Sequence, residues 1–161
     1  MQRGQLPPGI REAISDLLAE YGISLDEDRL EDWVALFVAE CDYKIVTREN
    51  VEQGYPNVMM WCDNQNMLRD RIESYRHVNE SNLHWDRHII GPPRYLGEHN
   101  GAWAVEASYS LFQTDFEGAS RLFSVGRYRC EIVIDADLAR FRTVLVIADT
   151  GLVPTLLASP I

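Results

Sequence analysis

The side chains best suited to chemistry gather mid-chain, where His84, Asp86 and His88 alternate downstream of Glu80, with His77 before them and His99 beyond. Two histidines and a carboxylate are the ligand types of a mononuclear iron site. On a strand all three project from one face, but in a nearly straight row with Cα atoms about 6.5 to 7 Å apart. Facial coordination by such a row requires a bend or bulge. On a helix His84 and His88 could share a metal, but Trp85, Ile89, Ile90 and the Gly91-Pro92-Pro93 break argue for a strand. The row is therefore read as a polar strand face, and no metal ligand is assigned to this chain.

A second set, Asp42, Tyr43, His88, Tyr109 and Tyr128, has the residue types for acid–base work inside a cavity. Buried tyrosines are more often core residues with one satisfied hydroxyl, so no catalytic residue is assigned. GxSxG, GxxxxGK[ST] and GxGxxG are all absent, which removes the usual signals of a hydrolase, a P-loop or a dinucleotide site. Cys41, Cys62 and Cys130 form no CxxC or CxH pair and read as buried thiols. Arg69, Asp70 and Arg71 read as a solvated or interface face. Trp103, Tyr109 and Phe112 read as core and interface aromatics.

The net charge of −10 argues against a nucleic-acid partner, whose phosphates need arginine and lysine. No apolar run reaches the length of a membrane span, and the first residues lack a signal peptide's apolar core. The expected location is the cytoplasm. With 161 residues the chain is expected to form one domain, 1–161, with a flexible start at 1–8.

These residues must be positioned by a small set of elements. A helix is predicted over 9–21, with Ile10, Ile14, Leu17, Leu18 and Tyr21 as its apolar stripe and Gly22 as its stop. Ser24 and Glu27 have capping-box spacing for a second helix carrying Leu30, Trp33, Val34 and Phe37. From Cys41 the apolar period becomes two, with Cys41, Tyr43 and Ile45 on one face and Asp42 and Lys44 on the other. Residues 47–57 read as a loop and 58–61 as a strand edge. Asp63 is expected to cap a third helix that buries Met67, Leu68, Ile72 and Tyr75. Beyond it the pattern is strand-like to about residue 149. A bend falls at Gly91-Pro92-Pro93 and turns fall at 99–101, 115–118 and 135–137; the apolar tail 152–161 is expected to dock. Helices early and a meander late indicate α+β: helices packed on a strongly curved, mainly antiparallel sheet, forming a cone.

Taken in order, these segments resemble the β (small) subunit of Rieske non-heme iron aromatic-ring-hydroxylating oxygenases. The carriers are LEDWVALFVAECDYKIV at 30–46, TREN at 47–50, WCDNQNMLRDRI at 61–72, RHII at 87–90, SVGRY at 124–128 and TLLASPI at 155–161. The segment 84–88 stands where many relatives have a tryptophan-containing segment and an Arg-Arg pair, and Gly91-Pro92-Pro93 replaces a usual asparagine. These departures look more like the branch acting on single-ring carboxylates such as salicylate or terephthalate than the naphthalene or biphenyl branch.

The resemblance implies a cystatin-like, scytalone-dehydratase-like cone and a non-catalytic structural subunit in aromatic catabolism. It implies a hexamer of three α and three β subunits. The α subunit would hold the Rieske [2Fe–2S] cluster and mononuclear Fe(II), with electrons from NAD(P)H through a reductase and often a ferredoxin; this chain would hold no cofactor. Trp103, Tyr109, Arg121 and Arg142 are expected interface positions, because large aromatics and arginines commonly anchor such surfaces. The alternatives are a stand-alone cone-fold dehydratase or isomerase and a small-ligand-binding protein.

Overall fold

A computed structural model describes residues 6–78, 83–151 and 159–161. The first helix, α1, spans Pro8–Asp26; a proline in its first turn loses no intrahelical bond. Ile14, Leu17, Leu18, Tyr21 and Leu25 form its buried stripe. The helix does not stop at Gly22. A Cβ there would lie 3.1 Å from Ile90 Cδ1 and 3.2 Å from His88 Cβ, so this glycine lets α1 lie close on a strand. Nor does Ser24 start a second helix. It is buried within α1, and its Oγ donates to the carbonyls of Glu20 and Tyr21 at 2.7 and 3.2 Å.

The chain reverses at Asp28, whose φ is 58°, and enters a short helix, α2 (Leu30–Ala35). Phe37 has already left the helix and begins β1 (Phe37–Thr47), in which Cys41, Tyr43 and Ile45 face inward as the alternation predicts. The expected loop after it contains a one-turn helix, α3 (Arg48–Gln53). Thr47 Oγ1 accepts the Asn50 N–H at 3.2 Å, and Gly54 closes the helix in the left-handed region at φ 70°. After β2 (Met60–Cys62) comes α4 (Gln65–Val78), capped by Asn64, not Asp63, through the Met67 N–H at 2.9 Å. Leu68 and Ile72 are buried in α4, whereas Met67 is 40% exposed.

The remaining strands are β3 (His84–Ile90), β4 (Arg94–His99), β5 (Ala102–Asp115), β6 (Ser120–Asp135) and β7 (Leu138–Ala148). The sheet order is β2-β1-β7-β6-β5-β3, with β4 also on β5. The β1–β7 pairing is parallel and the other described pairings are antiparallel. β3 pairs with 109–115 and β4 with 102–106, so the two are successive pieces of one edge, broken at Gly91-Pro92-Pro93. Left-handed Asn100 and Gly101 close the β4–β5 hairpin, and Ala136 and Asp137 close β6–β7. Register shifts at Leu111/Phe112 and Glu131/Ile132 add the local twist that curls the sheet around α1.

The core is aromatic. Tyr21 meets Trp33, Tyr128 and Phe141 edge-on, and Trp33 meets Phe37 and Tyr43. Each such contact contributes about 0.5–1.5 kcal/mol beyond the area it buries. Cys41, Cys62 and Cys130 are buried and unbridged. Among the described residues no helix is long and apolar enough to cross a membrane. The tail expected to dock is described only at 159–161, where Ile161 is buried; the expected flexible start is described only from Leu6, which is also buried.

The tightest backbone approach is at Gly126, where an added Cβ would fall 2.0 Å from the Ile147 carbonyl oxygen. Gly126→Ala must push β6 from β7 and is expected to destabilise the fold by about 3 kcal/mol. Urea unfolding measures this, and an unchanged midpoint contradicts the close approach.

Candidate functional site

The row His84, Asp86 and His88 lies on one face of β3, which turns inward, while Trp85, Arg87 and Ile89 face out. The three do not converge. They divide into two pairs because α1 supplies a second carboxylate, Asp26. Its Oδ1 lies 2.6 Å from His88 Nδ1, and its Oδ2 accepts the His88 backbone N–H at 2.9 Å. Both side chains are almost wholly buried, at 4% and 0% exposure. His84 Nε2 lies 3.4 Å from Asp86 Oδ1, and Gln113, opposite Asp86 in the register, bonds the same carboxylate. Burial pushes the Asp86 carboxyl above its ordinary range, against the opposing pull of His84 and His88. Among the described residues no group of three His, Cys, Asp or Glu side chains is placed to hold a metal ion.

The acid–base candidates also separate. Asp42 lies on the outer face, where it accepts from Trp61 Nε1 at 2.6 Å and meets Lys44 Nζ at 3.4 Å. Tyr43, Tyr109, Tyr128 and His88 lie inside. Tyr109 stacks on Tyr128 with ring centres 4.6 Å apart and shares a hydrogen bond with Ser124 at 3.0 Å. Burial pushes the Tyr109 hydroxyl up to about 12 and those of Tyr21, Tyr43 and Tyr128 higher still. These phenols stay neutral at physiological pH and can donate or accept hydrogen bonds. They are poorly suited to taking up a proton.

A SnoaL-like domain model matches residues 10–144. The chain is 39% identical over 137 residues to the anthranilate 1,2-dioxygenase small subunit of Burkholderia cepacia, covering 85% of each chain. It is 26% identical over 143 residues to a terephthalate 1,2-dioxygenase terminal oxygenase β subunit of Comamonas sp., covering 89% of this chain and 93% of the relative. The chain belongs to the small-subunit family of aromatic-ring-hydroxylating dioxygenases. A crystal structure of a β subunit assigned to such a dioxygenase in Novosphingobium aromaticivorans superposes with a TM-score of 0.85. That protein is 39% identical, and the match covers 94% of this chain and 97% of the other.

For a dioxygenase small subunit the outer surface matters as much as the interior. Trp85 and Phe116 stack in the open at a centroid distance of 6.2 Å, exposed by 56% and 74%. Ile89, Phe112 and Leu122 are exposed beside them, and Arg87, Phe112 and Leu122 are cross-strand neighbours on β3, β5 and β6. Farther along this face, Glu106 meets Arg94, Arg129 and Arg127 at 2.7, 2.9 and 3.6 Å. Of the expected interface residues, Arg121 is exposed beside Leu122, and Trp103 is half-buried against Tyr95. Arg142 ties Glu131 to the carbonyls of His99 and Asn100, so it braces the β4–β5 turn. Tyr109 requires correction. It is 3% exposed and points into the cone, because the inward row of β5 carries it there.

The sequence expectation places Tyr21 in the apolar stripe of α1 but ends the helix at Gly22, which leaves Asp26 outside it. Leu25, one turn beyond Tyr21 on the same stripe, is the signal that α1 continues. Asp26→Ala would leave the buried His88 N–H and imidazole without their acceptor. A loss of about 3 kcal/mol in urea unfolding is expected, and a loss under 1 kcal/mol would show that the pair is dispensable.

Asp86 carries a pH signature. Its folded pKa lies above the ordinary 3.8, so its ionisation opposes folding increasingly as pH rises through the folded value. The stability of Asp86→Asn relative to the natural chain should therefore improve from about pH 4 upward. A difference that does not vary with pH contradicts this environment.

Proposed function

We propose that this chain is the non-catalytic structural subunit of a terminal oxygenase that hydroxylates an aromatic ring. The identity of 39% to the anthranilate 1,2-dioxygenase small subunit carries the reading. In this account a large subunit holds a Rieske [2Fe–2S] cluster and mononuclear iron, fed from NAD(P)H by a reductase with or without a ferredoxin. Three large and three small subunits assemble, in the cytoplasm. The substrate is a single-ring aromatic carboxylate, a class suggested by the anthranilate and terephthalate named for the relatives.

The partner is expected to cover the outer face around Trp85, Phe112, Phe116 and Leu122, with Arg121 at its rim. An exposed apolar patch of this kind is characteristic of a protein interface, and desolvated aromatics dominate the energy of such contacts. Arg142 lies farther along the sheet and fits a supporting role in the same surface, whereas Trp103 belongs to the inward row of β5 with Val105 and packs against Tyr95.

The test is co-purification with the large subunit of the same oxygenase. The double variant Trp85→Glu/Phe116→Glu should weaken association roughly 30-fold or more, while the thermal midpoint of the free chain stays nearly unchanged. Undiminished association of a folded double variant contradicts this face as the interface. Conversion of a small cyclic substrate by the isolated chain contradicts the non-catalytic role.

A further inference from the structure

The β6–β7 hairpin projects beyond the strands on either side of it. The β5–β6 ladder ends with Trp103 opposite Ile132, and the β1–β7 ladder begins with Phe37 opposite Phe141. Val133, Ile134 and Asp135 therefore pair only with Arg140, Ala139 and Leu138, and the tip overhangs its neighbours by about 10 Å. Ile134 and Ala139 still pack on the core, so the arm has a firm base. Its tip is open. Leu138 is 57% exposed, and Asp135 and Asp137 are exposed beside it. Among the described residues neither carboxylate has an ion-pair partner.

The turn at the tip is strained. Ala136 and Asp137 have φ of 47° and 66°, in the left-handed region where a two-residue hairpin turn ordinarily carries Asn-Gly. Alanine is costly there, and strain of this kind gathers at surfaces that use it. A receptor of opposite charge lies on the same chain. On the outer face of the sheet Glu106 stands opposite Arg94 on β4 and Arg129 on β6, and Arg127 reaches the same carboxylate. The Glu106 side chain is only 11% exposed, whereas those of Arg94, Arg127 and Arg129 are 62%, 39% and 46% exposed. One nearly buried carboxylate thus gathers three open guanidinium groups and leaves two positive charges in surplus. The hairpin tip carries two unpaired carboxylates.

We propose that the β6–β7 hairpin of one copy of this chain docks on the Glu106 arginine cluster of a second copy, joining small subunits head to tail. Asp135 and Asp137 supply the two negative charges that the cluster lacks, and Leu138 excludes water from the contact. A second copy is favoured over a foreign partner because this chain itself carries the complement in both sign and number. The contact cannot close within one chain, since Arg129 and Asp135 lie about 20 Å apart along the same strand. The two surfaces differ, so the contact is heterologous and repeats from copy to copy until a ring closes. The number three rests on the assembly proposed above, but the contact itself needs no large subunit. It leaves the Trp85 and Phe116 end of the face free for that partner.

Disulfide trapping in the full-length chain, alone and co-purified with the large subunit, tests the contact. Arg129→Cys/Asp135→Cys should oxidise to species of two and three small subunits, and neither single substitution should do so. Sedimentation supplies a second reading. Asp135→Lys/Asp137→Asn should weaken association between small subunits at least tenfold, while the thermal midpoint of the free chain stays nearly unchanged. Adding Arg94→Glu/Arg129→Glu should recover most of that loss, a rescue that misfolding cannot produce. A chain that is monomeric in both preparations overturns the proposal, as does an oligomer that yields no trapped species or is indifferent to the charge reversal. Trapping of this chain to the large subunit instead also overturns it. Small subunits that trap one another when no large subunit co-purifies uphold this contact and contradict the oxygenase role.

Discussion

The contact of Asp26 with His88 fixes how helix and sheet meet. One carboxylate accepts both a backbone N–H and a ring nitrogen of β3 from the last residue of α1. An edge strand otherwise offers unpaired backbone groups to any passing strand, and this contact satisfies one of them internally. It also sets the height of α1 above the sheet, which the bare backbone of Gly22 permits. With α1 seated, Tyr21 reaches the middle of the cone and the aromatic core assembles around it. The reversal at Asp28 then directs α2 and β1 toward the far edge, where β1 runs parallel to β7.

Charge is divided between the two layers. Of the 25 acidic residues, 17 lie before residue 87, against 8 of the 15 basic ones. The helical layer is thus acidic, while the strands from β4 onward are nearly balanced and carry their arginines outward around Glu106. On a chain of net charge −10, the face with exposed aromatics and partly exposed arginines is the one that repels an acidic or neutral protein surface least. An outward apolar face fits a subunit whose work is to hold another protein.

Much of the sheet was legible in the sequence because its signals are local. Asn100-Gly101 and the 135–137 turn follow alternating runs, and their left-handed residues close two-residue hairpins. The inward row Val105, Ala107, Tyr109 and Leu111 follows from period two alone. Features that depend on distant partners were not legible. Gly22 has the look of a helix stop until β3, 66 residues later in sequence at His88, is laid against it. Asp26 has no local signature; its meaning comes from a histidine 62 residues away. Residues 48–53 were missed as a helix because one turn shows no apolar period, leaving only the Thr47 cap and Gly54 to mark it. Tyr109 was expected at an interface on residue type, but the pleat carries its side chain inward.

The central claim is that the outer face around Trp85 and Phe116 is covered by the large subunit while the acidic helices stay open to solvent. Hydroxyl-radical footprinting, read residue by residue on the free chain and on the assembled oxygenase, tests it directly. The account predicts that oxidation of Trp85, Phe112 and Phe116 falls sharply on assembly while that of Ile23 on α1 is unchanged. Equal oxidation of Trp85 and Phe116 in both states, with protection at Ile23 instead, would contradict it.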